Sequence, residues 1–315
     1  MKPVFFLITF VKDGRKYINT LFNSLLSQTR INFKHYIYDD GSCDPIEDLV
    51  DEYRKKASSL KIPYEVIYEK NIENKGVNYS TMHCISKADC EYFIWLNCDD
   101  CIDERFFEEM EKCIIKNKKP TVVRSNLYDF VSKKQIEKDR FRLKVRKQSR
   151  QLKYFLYGTF SCNFFAIKTS DWFTYNPHNH YYEERSFFND EQVLLTCCIN
   201  NSRFAFCENA TGYFYNHGNN ESNMYKEKDL EIRYSFFKKL IDCYDKKIGS
   251  IVFDILELRR SFNQMEKYLN ESNRTEALKV YKQRKTLCED KRIPRLFWYR
   301  YGNNLTWLVR ILIRK

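Results

Sequence analysis

At 315 residues the chain has room for one large domain or two smaller ones, and 43% aliphatic and aromatic residues suffice for a sizeable core. Charged residues make up 30%, and no run of about 18 apolar residues occurs, so no membrane-spanning helix is implied. The net charge of +12 favours anionic partners: nucleic acid, phosphate-bearing ligands or an anionic membrane surface.

The first apolar run, Val4–Thr9, is short and is broken by Lys12-Asp13-Gly14 with no small-residue cleavage site, so it reads as a buried strand and not as a signal peptide. Tyr17, Ile18, Leu21, Phe22, Leu25 and Leu26 recur at helical spacing. Tyr36–Tyr38 is a second strand that ends in Asp39-Asp40-Gly41-Ser42. Ile46, Leu49, Val50 and Tyr53 mark the next helix, Tyr64–Tyr68 a third strand, and Asn78–Ser86 a further helix. Tyr92–Leu96 is a fourth strand running into Asn97-Cys98-Asp99-Asp100, followed by a helix on Phe106, Phe107, Met110, Cys113 and Ile114 and a fifth strand at Thr121–Val123. This alternation predicts a mostly parallel sheet with helices on both faces. Ligands bind beyond the carboxyl ends of such strands, and both Asp39–Ser42 and Asn97–Asp100 fall there. Either cluster alone reads equally well as a turn, because Asp, Gly and Ser favour turns; two on one edge point to a ligand site. From residue 226 onward the chain turns helical and rich in Lys, Arg and Glu, which predicts domains at 1–225 and 226–315.

The twelve cysteines include one CxxC spacing, Cys98–Cys101, with Asp99 and Asp100 between and no second pair, so they read as reduced, buried thiols of a cytosolic protein, not as a zinc site or a disulfide framework. Asp99 and Asp100 are the strongest metal candidates, since hard divalent cations take carboxylate oxygens and share them with diphosphate; the alternative is helix capping by Asp100 or Asp103. Lys138–Lys153 holds eight basic residues and one acid, suited to an anionic acceptor, to anionic lipid or to a solvated edge. The tail 291–315 interleaves seven basic residues with aromatics and an apolar helical stripe, as in a helix lying on an anionic membrane surface; the alternative is a helix packed on the core. Most of the 48 Tyr and Phe residues belong to the core. Trp172, Tyr181 and Tyr182 are the candidates for stacking on an acceptor.

Ser24-Leu25-Leu26-Ser27-Gln28-Thr29, Tyr38-Asp39-Asp40-Gly41-Ser42, Asn74-Lys75-Gly76, Leu96-Asn97-Cys98-Asp99, Asn189-Asp190-Glu191-Gln192 and Tyr215-Asn216-His217 appear in order over roughly residues 3 to 224. Together they resemble family 2 glycosyltransferases of the GT-A fold. The resemblance implies a hexosyl- or N-acetylhexosaminyl-transferase taking its sugar from a nucleoside diphosphate, with UDP as the default, and passing it to a hydroxyl of a glycan or lipid-linked acceptor. It implies that Thr9, Asp39, Asp40, Lys75, Gly76, Asn97 and Asp100 attend the donor, that Asp99 with His217 holds Mn²⁺ or Mg²⁺, and that Asp190, or else Glu191, is the base. Asn97 stands where the family carries its first motif aspartate and contributes no charge; Asn189 stands where Glu is common. A carboxylate that accepts the acceptor's proton on the far side of the leaving group gives single displacement with inversion. The competing readings are a nucleotide-sugar-binding pseudoenzyme, which Asn97 keeps open, and a nucleic-acid-binding protein, for which no recognition signature is present. The expected location is the cytoplasm, with peripheral attachment through the tail.

Overall fold

In the computed structural model the described residues are 3–60, 65–136, 163–176, 193–194, 196–197, 200, 202–217, 268 and 271–289. The chain divides into two compact units, Met1–Phe155 with Phe160–Tyr225, and Leu156–Thr159 with Lys226–Lys315. Within the first unit lie eight strands, β1 (Phe5–Val11), β2 (Phe33–Asp39), β3 (Val66–Lys70), β4 (Tyr92–Trp95), β5 (Cys101–Ile102), β6 (Val122–Asp129), β7 (Phe165–Lys168) and β8 (Phe204–Phe214). Its helices are α1 (Ile18–Leu26), α2 (Glu47–Ser59), α3 (Val77–Ser86), α4 (Phe106–Lys116) and α5 (Thr169–Tyr175); the second unit contributes α6 (Arg274–Glu289). The strands form one sheet in the order β3-β2-β1-β4-β7-β6-β8-β5. β1 pairs in parallel with both β2 and β4, and β2 with β3. β7 runs antiparallel to β4 and β6, while β8 is parallel to β6 and antiparallel to β5.

β1 shows no apolar-polar alternation because both faces are covered, as expected of a central parallel strand. On one face Phe5, Leu7 and Val11 meet Ile18, Leu21, Phe22 and Leu25 of α1, Val50 and Tyr53 of α2, and Phe107 of α4. The four α1 positions lie three or four apart and share a stripe; burying each such side chain contributes about 1.5–3 kcal/mol. On the other face Phe6 stacks on Tyr36 at 5.6 Å and Phe93 meets Trp172 of α5 edge-on at 6.2 Å.

The Ser24–Thr29 segment performs a structural task. Gln28 Nε2 donates to Ser24 O and to Asp103 O at 2.9 and 2.6 Å, and Gln28 Oε1 accepts from the backbone N–H of Phe107 at 3.3 Å. One buried amide therefore closes the end of α1 onto the start of α4.

β5, β7 and β8 escape the sequence pattern, because two residues of β5 are too few for a period and an antiparallel strand breaks the β-α rhythm. Trp172, expected to stack on an acceptor, is fully buried against Phe93 and is instead a core residue. Tyr181 and Tyr182, the basic segment 138–153 and the tail 291–315 lie outside the described residues. Among the described residues no helix is long and apolar enough to cross a membrane.

Candidate active site

The parallel strands β2, β1 and β4 end side by side, and three loops rise from that edge. Neighbouring strands stand about 4.8 Å apart, so the ends of β2 and β4, with β1 between them, are about 10 Å apart. Asp39 finishes β2 opposite Val11, and the N–H groups of Asp40 and Leu96 bond Val11 O and Ile8 O, both on β1. The loops are tied to one another. Asp13 N–H donates to Ser42 Oγ at 2.8 Å, Cys43 N–H to Asp13 Oδ1 at 2.8 Å, and Lys12 Nζ to Gly41 O at 3.0 Å. Gly14 packs so closely on Cys98 that an added Cβ would sit 2.4 Å from its sulfur.

The aspartates of the first corner are buried and already bonded. Asp39 Oδ1 accepts from Ser42 N–H at 2.7 Å and its Oδ2 from the Tyr68 hydroxyl at 3.1 Å. Asp40 Oδ1 accepts from Asn71 Nδ2 at 3.0 Å and Lys75 N–H at 2.9 Å, and its Oδ2 from Gly76 N–H at 2.7 Å. A carboxylate offers about four lone-pair sites, so Asp40 spends most of its capacity shaping the 71–76 loop. Gly41 is required between these carboxylates and that loop. Its φ is +71°, and a Cβ would lie 2.7 Å from the carbonyl carbon of Glu73. Lys75 pairs with Glu73 at 2.7 Å, and Gly76 opens α3 with a φ of 89°.

Thr9 sits lower in β1 than the resemblance implied. Its side chain is fully buried on the α1–α2 face and meets His35 Nε2 at 2.9 Å, so the hydroxyl does not line the cleft. Burial holds the His35 imidazole neutral, with its pKa pushed down to about 3.

The second corner brings together residues far apart in sequence. Asp99 Oδ2 stands 3.0 Å from Nε2 of His217, 118 residues later, and both side chains are mostly covered, with 16% and 13% of their surface exposed. Asp100, expected beside the donor sugar, is completely buried. Its Oδ1 accepts from the Tyr215 N–H at 3.2 Å and its Oδ2 from Asn163 Nδ2 at 2.9 Å. Desolvation, and then the charge of Asp99, push the Asp100 carboxyl well above the usual carboxylate range. Asp100 is therefore a brace joining the 97–100 loop to the residue after β8, two positions from His217. Asn97 is half-buried, and its carbonyl accepts from Asp100 N–H at 3.1 Å.

Two contributors had no separate signal in the sequence. Asn163 belongs to no motif. Tyr17 reads as one more apolar residue of the α1 stripe, yet its ring lies on the His217 imidazole with centroids 4.3 Å apart and planes 15° apart. Asp190 and Glu191 lie outside the described residues.

Two donors each about 2.1 Å from an octahedral cation and at right angles stand about 3.0 Å apart. Asp99 and His217 are hydrogen-bonded to each other as they stand; the same spacing would also serve a cation placed between them, and the oxygen–nitrogen donor pair suits Mn²⁺ better than the oxygen-seeking Mg²⁺. Among the described residues no cluster of three or more His, Cys, Asp or Glu is gathered. A cavity of about 470 Å³ opens beside α4, but its Glu109 accepts ion pairs from Arg105 and Lys112 at 2.8 and 2.9 Å, and none of the rim loops lines it.

The profile of the family described as glycosyl transferase family 2 matches residues 6–175, more than half the chain. The chain belongs to glycosyl transferase family 2. Over 108 residues this transferase-family chain is 30% identical to EpsH of Bacillus subtilis (strain 168), whose name places it among glycosyltransferases; the match spans 34% of the chain and 29% of EpsH. The solved structure of S. aureus TarS 1-349 in complex with UDP-GlcNAc superposes with a TM-score of 0.66 at 18% identity, covering 94% of this chain and 83% of that one. TarS 1-349 in complex with UDP gives 0.59 at 16% identity, over 82% and 71%. The family 2 chain thus has the GT-A fold.

Proposed function

We propose that the protein is a glycosyltransferase that moves a sugar, of the hexosyl or N-acetylhexosaminyl class, from a UDP-linked donor to a hydroxyl of a glycan or lipid-linked acceptor. The observation that carries this reading is the Asp99–His217 pair, 3.0 Å apart at the carboxyl edge of the sheet beside the Asp39–Ser42 and 71–76 loops. Family membership supports the reaction class, and the UDP-GlcNAc and UDP complexes of TarS support the donor class.

In this reading the loops at Asp39–Ser42 and Lys75–Gly76 seat the nucleoside, and the Asn97 amide offers a neutral oxygen and N–H groups to the ribose. Asp99 and His217 hold Mn²⁺ or Mg²⁺, which would neutralise the charge that develops on the departing diphosphate. The acceptor oxygen bonds to the anomeric carbon as the bond from that carbon to the diphosphate oxygen breaks. The hydroxyl proton passes to the carboxylate of Asp190, or of Glu191, so the configuration inverts. The tail 291–315 lies on the cytoplasmic face of an anionic membrane, near a lipid-linked acceptor.

The experiment is transfer from a panel of nucleotide sugars, with and without Mn²⁺, followed by NMR of the product linkage. UDP-sugar turnover that chelation abolishes is expected, with inverted configuration. Binding of the donor without transfer or hydrolysis under any metal condition would favour the pseudoenzyme that Asn97 suggests; a retained anomer would remove the single-displacement step.

A further inference from the structure

We propose that Tyr17 is a positioning residue for the cation site and acts through the face of its ring on His217. This rests on the reading of Asp99 and His217 as cation ligands.

His217 follows the end of β8, beyond the last ladder pair between Asp129 and Phe214, so the sheet does not orient its imidazole. Two features do. The bond from Tyr215 N–H to buried Asp100 fixes the backbone two residues earlier. The ring of Tyr17 then lies flat on the imidazole, 4.3 Å away and 15° from parallel, with Tyr215 packed edge-on against Tyr17 at 5.9 Å and tilted against His217 at 5.3 Å. Rotation of the imidazole about its Cβ–Cγ bond would drive its edge into the tyrosine ring. The geometry thus presents Nε2 to Asp99 at 3.0 Å.

The hydroxyl has a smaller part. It stands 3.4 Å from Nδ1, but a ring stacked nearly parallel places that oxygen above the imidazole plane, away from the in-plane direction a nitrogen lone pair or N–H requires. The face is also electrostatically apt. An imidazole that shares its electrons with a cation becomes more positive, and the negative face of an aromatic ring favours positive charge. Lys16 Nζ, 4.6 Å from the centroid of the same ring, uses that preference already. A leucine would fill much of the space without the flat, negative surface.

The test measures Mn²⁺ binding to the full chain by loss of the free-ion EPR signal, with UDP present, in the parent and in Tyr17→Phe, Tyr17→Leu, His217→Ala and Asp99→Asn. Tyr17→Phe should bind within about 3-fold of the parent. Tyr17→Leu should weaken Mn²⁺ by about 10-fold or more, as loss of a residue that orients a ligand does. Proton NMR of the unsubstituted, metal-free protein supplies an arm independent of variant folding: the His217 ring protons should be displaced upfield by the Tyr17 ring current. Parent-like Mn²⁺ affinity in folded Tyr17→Leu, with affinity lost in Asp99→Asn, would overturn the positioning role and leave the cation site standing. Undisplaced His217 protons would do the same. Mn²⁺ affinity indifferent to Asp99→Asn and His217→Ala would overturn the cation reading itself, and the proposal with it.

Discussion

At the end of β2, Asp40 gathers three N–H donors from Asn71, Lys75 and Gly76, all within 36 residues of it. At the end of β4, Asp99 faces an imidazole 118 residues away, held by aromatic rings and by the neighbouring Asp100. The two corners use the same residue type on the same sheet edge and divide the labour. The first is a self-consistent loop clamp that exists once the local chain is folded. The second is a long-range contact, a carboxylate bonded to an imidazole that the chain delivers only after another 118 residues. An acidic motif at a strand end is therefore not one kind of object: what its oxygens touch decides whether it shapes a nearby loop or ties together segments far apart in sequence.

The division can be broken by substitution. Asp99→Asn and His217→Ala should lower transfer by about 10²–10³-fold, the scale for removing one element of leaving-group stabilisation, while the thermal midpoint of the metal-free chain stays within a few degrees. A large fall in that midpoint would make the pair structural. Asp40→Ala should do the reverse, costing about 2–3 kcal/mol in urea unfolding because three donors lose a charged acceptor. Unchanged stability there would return Asp40 to a purely ligand-facing part. Gly41→Ala forces a side chain into a left-handed backbone and against Glu73, and should cost about 1–3 kcal/mol.

Near neutral pH the smallest effect comes from the floor of the first corner, and it grows only on acidification. His35 has its pKa pushed from the ordinary 6.5 to about 3 by burial. The unfolded chain therefore binds the extra proton first, and stability is fully present above about pH 6.5 and declines as pH falls towards 3. The slope in that window approaches about 1.4 kcal/mol per pH unit. His35→Gln should flatten that contribution in urea titrations run from pH 7 to 4; an unaltered slope would mean that the imidazole is not kept neutral.

The first corner and its strands were legible because they obey short-range rules. Parallel strands buried on both faces read as apolar runs, α1 and α4 show helical spacing, and Asp-Gly-Ser at a strand end marks a tight turn whichever further part it plays. Asp99 and His217 were nameable through motif order, though no spacing rule relates residues so distant. What escaped was whatever depends on packing: Thr9 turned into the core towards His35, Asp100 withdrawn as a brace, Trp172 buried under β4. Tyr17 has the same pattern of neighbours as any helix-stripe residue, and only the arrival of Tyr215 and His217, just beyond β8, gives its ring a different use.

That arrival has a consequence for how the protein becomes competent. β5 follows directly on Asp100 and pairs with Gly212 and Tyr213, just ahead of His217, so the Asp99–His217 corner closes a loop of more than a hundred residues. Such closures carry a large entropic cost and come late in folding. A nascent chain emerging from the ribosome would complete the Asp40 loop while His217 is still unsynthesised, so the clamp at the end of β2 precedes the pairing of Asp99 with its imidazole.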